Sequence, residues 1–262
     1  MLTLNGKNYQ NTDELFHDAI AMNMDIPDIE KLKFEKYARL QKIGRLLQIP
    51  LPLAVLEIRV KNPHQAEHGQ LKISDSWVRN QYTWQQQCMV LANFDSGTFG
   101  SGLYSMKSTA GVIKSTYCHI FFASPETAAS GYYAAANDDT KGILVGTSTT
   151  AESLDHFAIQ ALIPNGNGAG EMAYNACGVT KTWEGVGKTW TGAWERIINN
   201  NSGGTITVNE CVLYIDLLHS FTYPGTSSYR TYMTNRDKLS SGEAILDAGQ
   251  LTVTYNIVIT YP

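Results

Sequence analysis

Nowhere in the 262 residues does an apolar run approach the roughly 18 that a helix needs to cross a bilayer. Runs of Lys and Arg are missing too, and 20 basic against 24 acidic side chains leave a net charge of −4. Neither a membrane nor a nucleic acid is therefore expected as a partner. The first residues, MLTLNGKNYQNTDELF, lack a basic region followed by an apolar stretch, so the expectation is a chain folded in the cytoplasm without a secretory signal. Only four cysteines occur, Cys88, Cys118, Cys177 and Cys211, far apart and without a Cys-x-x-Cys pair. They read as small buried hydrophobes of a reducing compartment.

What the sequence does hold is Gly, Ser, Thr, Asn and Tyr around a charged content of only 17%, the mix of a turn-rich β protein. In the last stretch, GQLTVTYNIVITYP, Leu251, Val253, Tyr255, Ile257, Ile259 and Tyr261 share one parity, while Thr252, Thr254, Asn256 and Thr260 share the other. That is a strand with one apolar face, expected to close a sandwich edge and to pair across a subunit boundary. Short candidate strands such as LAVLEIRV, GILVGTS, WERIIN and TITVNECVLYID alternate with Gly-rich connectors such as IPNGNGAG and NNNSGG. Many short strands with turn signals predict an antiparallel β-sandwich, jelly-roll-like, rather than βαβ units. In TITVNECVLYID, Glu210 breaks the alternation, which requires two buried faces beyond it or a bulge at it.

Residues 1–52 read differently, as an N-terminal helical arm ahead of a β-sandwich domain over 53–262. A short helix is expected from Thr12. From Asp28 to Ile49, the residues Ile29, Leu32, Leu40, Ile43 and Leu47 recur at helical steps, and Pro50 and Pro52 end the pattern. Such a stripe packs on its own domain or on a neighbouring chain.

The candidate chemical sites are weak. His64, Glu67 and His68 match an H-x-x-E-H zinc spacing, but Pro63 and Gly69 bracket them and leave room for barely one helical turn, so a solvated loop is expected. EGVGKTW lacks the first glycine of a phosphate-binding loop, since Thr182 stands there. No G-x-S-x-G elbow occurs. Trp183, Trp190 and Trp194 suit core or interface packing, with sugar stacking as the alternative. Asp138 and Asp139 in NDDTKG read as a turn before they read as calcium ligands. No catalytic, cofactor-binding or metal-binding residue is assigned, and no cofactor is expected.

Three segments, in order and spacing, resemble a family of structural proteins from tailed bacteriophages. They are residues 142–174 (GILVGTSTTAESLDHFAIQALIPNGNGAGEMAY), 194–216 (WERIINNNSGGTITVNECVLYID) and 236–259 (RDKLSSGEAILDAGQLTVTYNIVI). ISDSWVRNQYTW, residues 73–84, resembles an element near the start of such proteins. The likeness departs after Glu210, where Cys211 and Val212 stand in place of a glycine-containing step. It implies a virion component of the tail, collar or capsid-decoration type, made in the host bacterial cytoplasm and without enzymatic activity. Such a chain assembles with itself, as a homo-oligomer, and with other virion proteins, and Arg196 and Arg236 are expected to meet carboxylates. A carbohydrate- or receptor-binding β-sandwich module is the alternative.

Overall fold

The computed structural model describes residues 2–4, 7–9, 12–83, 105–115, 131–185, 188–220 and 228–260. In chain order the elements are β1 (Leu2–Leu4), β2 (Lys7–Tyr9), α1 (Thr12–Ala21), β3 (Met24–Asp25), α2 (Asp28–Leu47), β4 (Leu51–Lys61), β5 (His68–Ile73), β6 (Ser105–Lys107) and β7 (Ile113–Ser115). They continue with β8 (Gly142–Gly146), β9 (Ala173–Tyr174), β10 (Gly178–Glu184), β11 (Thr189–Asn200), β12 (Ile206–Ser220), β13 (Ser228–Ile245) and β14 (Gly249–Thr260). The protein is mainly β, as its turn-rich alternation predicts.

Two sheets form the body. The larger runs β10-β11-β14-β4-β5-β3 with β9 also on β11, and the smaller runs β13-β12-β8. Alternation explains how they meet: Leu56, Ile58, Val60, Leu251, Val253 and Tyr255 of the larger sheet share one buried cluster with Val212, Tyr214 and Tyr232 of the smaller. Strand pairing is antiparallel among the described residues except between β3 and β5, which run parallel and make the larger sheet mixed.

β14 is not the edge its sequence leads one to expect. Its residues 249–260 pair with β11, and 250–260 pair with β4, so both hydrogen-bonding edges are taken. Its polar parity is accordingly covered as well, with Thr254 and Asn256 buried. In β12 both anticipated features occur together: the register shifts between Val208 and Glu210, and residues 210–215 are buried on both faces. β5 ends at Ile73 and residues 79–83 are helical. Cys88, Cys118 and the tip connecting β12 to β13 lie outside the described residues; Cys177 and Cys211 are buried free thiols.

Both helices form where expected. Asp13 and Glu14 in the first turn of α1, and Asp28 and Glu30 in that of α2, oppose the positive end of the helix dipole. They lie on the outer side of β4 and β5, where Phe34, Leu15 and Ala19 build a second core with Leu53, Val55, Leu71 and Ile73. The inward face of α2, however, is Glu30, Phe34, Tyr37, Gln41 and Gly44, and the aliphatic stripe of Ile29, Leu32, Leu40, Ile43 and Leu47 points outward. Two contacts fix that rotation. Phe34 meets Phe16 edge-on at 5.9 Å between centroids, and Glu30 Oε2 accepts the amide of Ile73 at 2.9 Å, where the edge of β5 would otherwise hold an unpaired donor.

Candidate functional site

The strongest local chemistry is buried and organises loops. Arg196, on β11, is fully buried and donates to five carbonyl oxygens: Asn175 (2.7 Å), Lys141 (3.1 Å), Ile143 (3.0 Å), Ala135 (3.1 Å) and Asp138 (2.5 Å). Its guanidinium also sits 4.7 Å over the Tyr174 ring. The carboxylate expected of it is replaced by backbone, which suits a fork of five N–H donors and pins residues 135–143 against β9 and β11. Burial, set against the neighbouring acidic groups, lowers the Arg196 pKa from its ordinary value.

Arg236, on β13, does find a carboxylate. Its Nε donates to Glu210 Oε2 at 2.6 Å, both groups being buried, while its terminal nitrogens reach the carbonyls of Thr150 and Ala151. Glu210 Oε1 accepts the amide of Ala161 at 3.0 Å. Gly146, opposite Glu210 on β8, makes the room: a Cβ there would stand 2.5 Å from both Glu210 Oε1 and the Ala161 carbonyl. Because an arginine only donates, the Nδ1 of His156, 3.2 Å from Arg236, is the acceptor and must be unprotonated. Burial and the Arg236 charge accordingly lower the His156 pKa below its ordinary 6.5.

Behind these lies a third buried group, Lys72, Asp237 and Ser74. Lys72 Nζ is 3.3 Å from Asp237 Oδ1, and Ser74 Oγ donates to Asp237 Oδ2 at 2.9 Å. Burial raises the Asp237 carboxyl despite the pull of Lys72. A hydroxyl that donates to a carboxylate resembles an activated nucleophile, but Ser74 is 2% exposed and Asp237 is fully buried. The group stitches the end of β5 to β13, and Lys72 reaches on to Glu152 at 3.3 Å. Sequence patterns gave no hint of it, because Asp237 lies more than 160 residues from Lys72 and Ser74.

The weighed candidates separate. His64 sits at φ 59° in the β4–β5 turn while His68 begins β5 and lies 3.5 Å from Glu243, so no shared helical face brings His64, Glu67 and His68 together. Among the described residues no group of three or more His, Cys, Asp or Glu side chains is arranged to hold a metal. EGVGKTW connects β10 to β11, which pair as a hairpin, so it lacks the helix a phosphate-binding loop requires. Asp138 Oδ1 accepts from the amide and hydroxyl of Thr140, and Asp139 Oδ2 accepts the amide of Asn165, which is turn chemistry.

The three tryptophans divide by depth. Trp194 packs on the core, edge-on to Tyr132 at 5.3 Å, and Trp190 is partly buried. Trp183, opposite Trp190 on the terminal strand β10, is 58% exposed. The outward stripe of α2 and the exposed Trp183 of this strand are apolar surface features of the described residues. No helix among the described residues is long and apolar enough to cross a membrane. No protein-family model, curated protein or solved structure matches the chain.

Proposed function

We propose that the protein is a non-enzymatic structural component of a tailed-bacteriophage virion, of the tail, collar or capsid-decoration type, acting through self-assembly and contacts with other virion proteins. The observation that carries this reading is the pairing of a hydrogen-bonded charged interior with an exposed aliphatic helix face. Arg196, Arg236 and Lys72, buried among the described residues, serve loops and strands, whereas six large aliphatic side chains of one helix face solvent. The ordered likeness to phage structural proteins supports it, and its key residues have structural work: Gly146 admits Glu210, Arg236 neutralises it, and the N-N-S-G-G turn uses Gly203 at φ 78°.

The fold belongs to the same proposal: the two sheets are the layers of a β-sandwich, wound jelly-roll-like. In its favour, the first and last long strands, β4 and β14, are neighbours, and the consecutive strands β11 and β12 lie in opposite sheets. The test is the protein composition of particles banded on a density gradient from the source culture. The chain is expected in the particle band at a fixed copy number; its confinement to the soluble fraction would refute the virion role.

Trp183 favours one second reading, a carbohydrate- or receptor-binding module. An indole 58% exposed beside Trp190 offers a stacking surface for a sugar ring. Quenching of tryptophan fluorescence by glycans, lost in Trp183→Ala, would favour it. Unchanged fluorescence across a glycan panel would remove it.

A further inference from the structure

The outward face of α2 carries Ile29, Leu32, Leu40, Ile43, Leu46 and Leu47, each between 45% and 84% exposed. They line one side of 20 helical residues, a stripe roughly 30 Å long. An exposed aliphatic stripe of that length, with Lys36 set between Leu32 and Leu40, marks a contact surface. Among the exposed charges of α2, Lys36, Arg39 and Lys42 outnumber Asp28 and Glu35, and Asp28 is already paired with Lys31 at 2.9 Å, in a chain whose net charge is −4.

α1, in the same layer, has the opposite character. It holds Asp13, Glu14 and Asp18 with no Lys or Arg, and its outward face is Asp13, Glu14, His17, Ile20 and Ala21. Ile20 is 70% exposed, and Met22, just past the helix, is 39% exposed. A basic apolar face beside an acidic apolar face is self-complementary under a two-fold rotation. Antiparallel pairing of α2 with itself fits poorly, because centring the stripe brings Lys36 of one copy near Arg39 of the other.

We propose that the occupant of this surface is a second copy of the chain, with α1 of each copy lying on α2 of the other. Asp13 and Glu14 then face Lys36 and Arg39, and Ile20 and Met22 meet the aliphatic stripe. Helix faces roughly 30 and 15 Å long and about 10 Å wide cover on the order of 450 Å² per partner, below the roughly 600–1,000 Å² per partner of stable interfaces, which makes this a weak association. The association is therefore concentration-dependent. It deepens the self-assembly reading above and rests on that reading only for its purpose.

Sedimentation velocity of the full chain over a concentration series tests it. The unaltered chain is expected to dimerise. The pair Asp13→Lys with Glu14→Lys, and separately Lys36→Glu with Arg39→Glu, should each weaken the dimer at least tenfold, and the four changes together should restore it. Leu32→Ser with Ile43→Ser, both on the exposed stripe, should also give monomer, with thermal melting confirming an intact fold. A monomer at every concentration, a dimer indifferent to the stripe changes, or reversals that fail to rescue one another would overturn the pairing. A monomeric chain found in particles would leave the virion role standing, and a dimer absent from particles would leave the interface standing.

Discussion

Arg196 spends five donors on backbone carbonyls and none on a carboxylate, so its removal leaves several buried acceptors without partners at once. Arg196→Met is expected to cost about 3–5 kcal/mol in denaturant unfolding, the range for breaking a buried charged group from its partners. Arg196→Lys should recover little, since an ammonium offers three donors from one point and cannot span the same carbonyls. At Arg236 the consequence is a pH dependence. Neutral His156 accepts from Arg236, and its folded pKa lies below its unfolded one, so its contribution to stability is complete above about pH 6.5 and is lost as pH falls through the lowered folded value. Unfolding free energy measured between pH 7.5 and 5 should decline toward acid, and His156→Gln should flatten that decline. An unchanged slope in the variant would place the acid sensitivity elsewhere.

Among the elements, β8 and β12 depend on one missing side chain. Gly146→Ala would drive a Cβ to 2.5 Å from Glu210 Oε1 and from the Ala161 carbonyl, so it is expected to destabilise by about 2 kcal/mol or more. Gly204→Ala meets nothing within 4 Å and should change stability by less than about 0.5 kcal/mol, which makes it the matched control. The strands themselves were legible, because alternation at Leu251, Val253 and Tyr255 reports a buried face directly. So were the two helices and the irregularity at Glu210. What periodicity did not convey was orientation. The apolar stripe of α2 is real, but Phe34 with Phe16 and the hold of Glu30 on Ile73 turned a more polar face inward. Edge or centre was equally hidden at β14, since an alternating strand reads the same in either place until its partners are known.

At the scale of the whole molecule, two cores flank the larger sheet, one shared with β13-β12-β8 and one with α1 and α2. Of the polar groups that carry the interior, Arg196 and Arg236 could be named from the sequence, but Lys72, Ser74 and Asp237 became a group only through folding. The candidate surface followed the same rule: its residues could be named from spacing, and their exposure could not. The proposed self-association rests on an aliphatic face left outward while a charged network is sealed inside. The most direct measurement of that claim is the mass of the full 28.9 kDa chain by multi-angle light scattering across a wide concentration series. The account predicts a discrete oligomer whose population grows with concentration. A single species of 28.9 kDa throughout the series would contradict it.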